Sequence, residues 1–113
     1  MMLLCDGRDT PIATHVRIAK NPISRAVGWI GRKQIDAQEA LLLPNCNAIH
    51  TIGMRRRIDV LFLDAEFRIV AIVCDIPPMR PVIAHRAARH TIELLSGGAE
   101  AKQCALGDRL RIE

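Results

Sequence analysis

Short apolar runs separated by Gly, Pro, Asn and Asp recur along the whole chain, and most follow the two-residue period of strands. Leu3 to Cys5 and Ile12 to Val16 flank Asp6-Gly7-Arg8-Asp9, whose Asp-Gly step predicts a β-hairpin. Asn21-Pro22 then joins an N-cap residue to a Pro at the first helical position, and Ile23, Val27 and Ile30 fall on one face. This predicts a short helix over Pro22 to Arg32, ended by Gly31 and held by packing more than by propensity.

Asp36 and Glu39 have the spacing of a capping box, but Leu41-Leu42-Leu43-Pro44 leaves space for only one turn before an apolar strand. A loop at Pro44-Asn45 leads to a strand over Ala48 to Met54 and a clearer one over Ile58 to Leu63. In the second, Ile58, Val60 and Phe62 face one way and Leu61 and Leu63 the other, so both faces are covered. Ala65-Glu66-Phe67 connects it tightly to the apolar run Arg68 to Cys74, and these two strands form the predicted centre of the fold. Three prolines between Asp75 and Pro81 exclude a central strand and predict a surface excursion. Ala84 to Ala88 reads as a helical turn or a loop. Thr91 to Leu95 is the next strand, Gly97-Gly98 ends it, and Ala99 to Cys104 suits a short helix. Leu106-Gly107-Asp108 turns the chain into a last strand, Arg109 to Ile112. The sum is seven or eight short strands with two or three short helices. That is a mainly β or α+β domain, a compact β-sandwich or barrel-like sheet, spanning residues 1–113 as one unit.

Composition narrows the partners. The 113 residues are 50% apolar, enough for one core, but only 3% are aromatic. The +4 net charge comes largely from arginines, which suit bidentate pairing with carboxylates or phosphates. Stacking aromatics for single strands are scarce, and the Pro22 to Arg32 helix offers only Arg25 and Arg32 to a duplex. A nucleic-acid-binding accessory role is therefore the weaker alternative. MMLLCDGRDT lacks the apolar length of a signal peptide, and no run reaches a membrane span, so the expectation is a soluble, cytoplasmic chain. Cys5, Cys46, Cys74 and Cys104 are widely spaced and read as reduced, mostly buried thiols.

The candidate chemistry concentrates in CNAIHTIGMRRRIDVLFLD, Cys46 to Asp64. Cys46 and His50 have a C-x3-H spacing, but on a strand four residues separate their Cα atoms by about 13 Å, too far for one metal. His50 and Asp59 suggest an acid-base pair, with Arg55 or Arg57 as an anion clamp. Asp59, on a strand buried on both faces, needs a partner, and Arg55 and Arg57 share its face if the segment is extended. No nucleophile motif or phosphate-cradling Gly loop accompanies them. The leading expectation is a non-enzymatic binding module for a small anionic ligand or a protein partner, acting through His50, Arg55, Arg57, Asp59 and Arg80. A small hydrolase-like enzyme using His50 and Asp59 is the alternative. No cofactor is expected, and the chain is expected to be a monomer or a weak homodimer.

GWIGR (Gly28 to Arg32), EALLLPNC (Glu39 to Cys46), IHTIGMRRRIDVLFLDAEFRIV (Ile49 to Val70), TIELLSGGA (Thr91 to Ala99) and LGDRLRI (Leu106 to Ile112) together resemble the bacterial and archaeal family called domain of unknown function 192. The resemblance keeps motif order over about four fifths of the chain. It implies a compact β-rich domain of this size, with no established biochemical role. Members commonly carry Gly in the turn after FLD, where this chain has Ala65-Glu66-Phe67, and Pro before the Gly at Leu95-Ser96-Gly97.

Overall fold

Strict alternation along Ile58–Leu63 organises the molecule, because it sends side chains to two separate cores. The computed structural model describes residues 1–20 and 29–113, so the helix expected over Pro22 to Arg32 falls mostly outside the described residues. Among those, nine strands run in chain order: Leu3–Cys5 (β1), His15–Ile18 (β2), Glu39–Leu43 (β3), Ala48–Ile49 (β4), Ile58–Leu63 (β5), Ile69–Ile76 (β6), Ile83–Ala84 (β7), His90–Leu95 (β8) and Leu110–Ile112 (β9). One four-residue helix, Gly98–Ala101 (α1), follows β8.

The main sheet has the order β2-β3-β8-β5-β6, with β2 parallel to β3 and every other pair antiparallel. A two-stranded ribbon covers each face. On the first face, Ala40, Leu42, Leu61, Leu63, Ile92 and Leu94 pack against the β1–β9 ribbon (Leu3, Cys5, Leu110) and Ala99 of α1. On the second, Leu41, Leu43, Ile58, Val60 and Phe62 pack with Trp29, Ile35, Met54 and the β4–β7 ribbon (Ile49, Ile83). All six residues of β5 are buried, since the sheet is covered on both faces here.

Several expectations are corrected. The sheet does not close into a barrel: β2 and β6 are opposite edges, separated by three strands. The N-terminal hairpin reduces to a single bridge between Leu3 and Ala13, since β1 takes β9 as its ribbon partner and the second segment forms its strand later, at His15–Ile18. The strand expected over Ala48 to Met54 stops at Ile49. There Met54 N–H closes a turn on the Thr51 carbonyl at 3.1 Å, and Gly53 takes a φ of 86° that a strand does not allow. Asp36 and Glu39 make capping-box bonds without a helix: Glu39 Oε2 accepts from Asp36 N–H at 2.7 Å, and β3 starts at once.

β6 carries two register shifts against β5, one between the pairs Ile58↔Ile76 and Val60↔Val73 and one between Phe62↔Ala71 and Leu63↔Ile69. Asp75 lies in the first, at φ 55°. At the β5–β6 turn, Phe67 occupies the left-handed region at φ 61°, which Gly adopts more readily. Asp64 secures that turn by accepting from the Glu66 and Arg68 amides at 2.9 Å each.

Candidate functional site

The five residues singled out in the sequence do not form one site. Asp59 projects onto the first face with Leu61 and Leu63 and is 1% exposed. Among the described residues no arginine pairs with it. Its Oδ1 accepts from Asp75 N–H at 2.8 Å, and its Oδ2 accepts from Gly97 and Ala99 N–H at 3.0 Å each. These amides come from the β6 bulge and from the β8–α1 junction, where Gly97 has φ 89°. The carboxylate thus joins three segments and spends its acceptors doing so, which assigns it to the scaffold. Arg57 instead pairs bidentately with Asp75, at 2.7 and 3.1 Å, and Ser96 Oγ donates to the same carboxylate at 2.8 Å. The Arg57 hydrogen bond, then that of Ser96, holds the Asp75 carboxyl below its usual range.

His50 belongs to the other side of the molecule. It follows Ile49 of β4, in the ribbon over the second face, so the main sheet separates it from Asp59 and the acid-base pair does not form. Structure does bring His50 and Arg80 together. Thr51 clamps the two loops: its N–H donates to the Arg80 carbonyl at 2.9 Å, and its Oγ1 accepts from Arg80 N–H at 2.9 Å and donates to Pro77 O at 2.7 Å. Met79 N–H completes the clamp by donating to Thr51 O at 3.0 Å. Continuing the register Ala48↔Ala84 and Ile49↔Ile83 sets His50 against Val82. On this platform Met79 (67%), Val82 (68%) and Ile52 (44%) are exposed, and Ile30 joins them by packing on Gly53, where an added Cβ would lie 2.9 Å from its Cγ2. Arg55, Arg80 and His50 on the same two loops are exposed as well.

Cys46 and His50 do not converge. Cys46 Sγ donates to the Ala48 carbonyl at 3.0 Å, and Thr91 Oγ1 donates to Cys46 O at 2.7 Å. Only Cys5 among the four free thiols is fully buried, and Cys74 is exposed, so the expectation of mostly buried thiols is corrected. Burial pushes the Cys104 thiol up to about 11, with Asp108 adding to the effect.

Sequence reasoning missed Glu93. It projects onto the second face between Thr91 and Leu95 and is 5% exposed. The register aligns Arg17, Leu41, Glu93 and Val60 in one row across β2, β3, β8 and β5. Burial pushes its carboxyl up to about 7, and Arg17 in the same row partly counters the rise. Among the described residues no hydrogen-bond donor reaches this carboxyl in the way amides reach Asp59. A neighbouring aromatic pair lies on the same face, with the His85 and Phe62 rings stacked at 5.9 Å and the buried His85 Nδ1 without a hydrogen-bond partner among the described residues. The signal in the sequence was a Glu at an inward position of a period-two strand, TIELL.

Comparison with known proteins agrees with this architecture. Crystal structures of a candidate transcription regulator from Sinorhizobium meliloti (TM-score 0.79, 22% identity, 85% of this chain and 79% of that one) and a protein of unknown function from Novosphingobium aromaticivorans (TM-score 0.83, 15% identity, 98% and 84%) share the fold. UPF0127 protein PH1112 of Pyrococcus horikoshii is 34% identical over 114 residues, covering 97% of each chain. UPF0127 protein PF1050 of Pyrococcus furiosus is also 34% identical, over 97% of this chain and 95% of its own. The DUF192 model, described as "Uncharacterized ACR", matches residues 4–112, and with these relatives it shows that the chain belongs to the DUF192 (UPF0127) family.

Proposed function

We propose that this domain is a binding module whose working face is the pair of loops clamped by Thr51, and that its partner is an acidic protein segment carrying apolar side chains. One observation carries the reading: Met79, Val82 and Ile52 are exposed on the two loops that Thr51 ties together, and the same loops carry exposed Arg55, Arg80 and His50. Solvent-facing apolar groups on two loops tied together in this way suit a protein partner. The cationic side chains select an acidic one and speed its encounter. Thr51 makes four hydrogen bonds across the clamp, so the face is pre-organised and little ordering is needed on binding. Arg57 and Asp59 support the reading only from behind, by fixing the strand that leads out of the first loop.

The test is an NMR titration of the full chain with a synthetic peptide alternating Glu and Leu, with poly-glutamate and a short DNA duplex as comparators. Expected are shift changes confined to residues 50–55 and 77–82, weakening with added salt. Combining Met79→Asp with Arg80→Glu should reduce affinity at least about tenfold without moving the thermal midpoint. Changes elsewhere on the surface, equal binding of poly-glutamate, or tighter binding of the duplex would each overturn the proposal.

A further inference from the structure

Two arginines face one another where the chain enters β6. Arg68 and Arg109 form an antiparallel bridge just outside β6 and β9. Ile69 N–H donates to Asp108 O at 2.9 Å and Leu110 N–H donates to Phe67 O at 2.8 Å, so these bonds flank the pair and none is exchanged within it. This is the closer kind of antiparallel pair, with Cα atoms about 4.5 Å apart and both side chains on one face. Ile69 and Leu110, the next residues on each segment, belong to the first core, which sends Arg68 and Arg109 out to solvent.

Like charges directly opposite one another are unfavourable unless an anion offsets them. The nearby acids are engaged elsewhere. Continuing the register Cys5↔Leu110 sets Asp6 against Arg109, yet the Asp6 carboxylate pairs with Arg111 Nη1 at 2.9 Å. Asp64 stands against Arg68 on its other side, where its N–H donates to Arg68 O, and its Oδ1 accepts from the Glu66 and Arg68 amides. Asp108 pairs with Arg8. Among the described residues neither the Arg68 nor the Arg109 guanidinium has a hydrogen bond or an ion pair. Two forks of N–H donors on one face match the several oxygens of a phosphate group.

A cleft of about 550 Å³ opens beside the pair, and Arg109 lines it. Ala65, Phe67, Leu110 and Ile112 make part of the lining apolar, and the Phe67 ring is braced by that of His90, 4.9 Å away between centroids. Asp6 and Glu66 line it too. Arg111 offsets Asp6, whereas no cation of the described residues is bonded to exposed Glu66. A second anionic group on a ligand would therefore be repelled there. We infer that Arg68 and Arg109 clamp the phosphate of a small monoester whose uncharged, apolar body lies in the cleft against Phe67 and Ile112. No bond is made or broken. The inference uses none of the residues of the loop pair and stands apart from that reading.

Phenyl phosphate is the probe, titrated into the full chain and followed by NMR at residues 65–69 and 108–112. Phenol, inorganic phosphate and 4-carboxyphenyl phosphate are the comparators. Expected are saturable local shifts with phenyl phosphate, binding at least about threefold tighter than that of inorganic phosphate, weaker binding of the carboxyphenyl ester and none of phenol. Arg68→Gln and Arg109→Gln should each lose at least about tenfold in affinity while keeping the thermal midpoint, or raising it as the repulsion is relieved. Phe67→Gly, which suits the left-handed backbone, should bind phenyl phosphate no better than inorganic phosphate. Arg55→Gln should bind like the parent chain. Absence of local shifts, inorganic phosphate binding as tightly as phenyl phosphate, tighter binding of phenol or of the carboxyphenyl ester, unchanged affinity in either Arg68→Gln or Arg109→Gln, a midpoint lowered in both, or an equal loss in Arg55→Gln would each overturn the inference.

Discussion

Asp59 and Glu93 are both buried acids on adjacent strands of one sheet, yet they face opposite cores and have opposite chemistry. Asp59 meets three amide donors at 2.8 to 3.0 Å, so its charge is solvated by the backbone itself. Glu93 is flanked by Leu41 and Val60, and burial raises its carboxyl to about 7, with no amide of the described residues bonded to it as three are to Asp59. Depth alone therefore says little about the role of a buried carboxylate. What separates scaffold from candidate site is whether the surrounding chain has committed donors to it.

Removing the better-satisfied acid should do the greater damage. Asp59→Ala strands three amides, one of them at the buried Ala99, and should cost about 3–5 kcal/mol in a urea unfolding experiment. Asp59→Asn, with one acceptor oxygen in place of two, should fall between it and the parent chain. If Asp59→Ala costs no more than a surface substitution, the contrast with Glu93 collapses.

Glu93 should behave in the opposite sense. Its folded-state pKa of about 7 lies above the ordinary carboxyl value of 4.5, so between these pH values the folded protein holds a proton that the unfolded chain releases. Stability is then greatest below about pH 4.5 as far as this group is concerned, falls as pH rises through about 7, and is level above it. The full span corresponds to about 3 kcal/mol. Glu93→Gln should remove that slope and be the more stable protein at alkaline pH, read from urea midpoints across the range. A parent chain whose stability rises with pH through this window would contradict the assignment.

The smallest effect should come from the exposed pair Arg57 and Asp75. Arg57→Ala removes a bidentate contact at the surface, and the thermal midpoint should move only slightly, less so in high salt. A loss comparable to Asp59→Ala would mean that Arg57 controls the bulge on which Asp59 depends.

The contrast was only half legible in the sequence. The period of Ile58 to Leu63 placed Asp59 on a covered face and implied that it needed partners, which is correct. The partners could not be read there. They are backbone amides exposed by a bulge at Asp75 and by a left-handed Gly97, and any arginine nearby looked the better candidate. Glu93 was hidden by its surroundings, because a Glu among Thr and Leu looks solvent-facing until a second cover on the sheet is known. Likewise β1 pairs with β9 at the opposite end of the described chain, a contact that local turn signals cannot announce. The family resemblance did carry the overall fold, since its motifs coincide with the central strands and the turns that join them.

The two bulges in β6 have a consequence beyond geometry. This strand is the longest among the described residues and forms an edge of the main sheet, with Val73 and Cys74 exposed. A straight edge of that length and hydrophobicity would be a template for another extended chain, and so for aggregation. The register shifts interrupt the even spacing of its outward amides and carbonyls, and the shift at Asp75 turns one amide inward onto Asp59. The same irregularity that lets Asp59 join three segments also makes the strand a poor surface for unwanted growth.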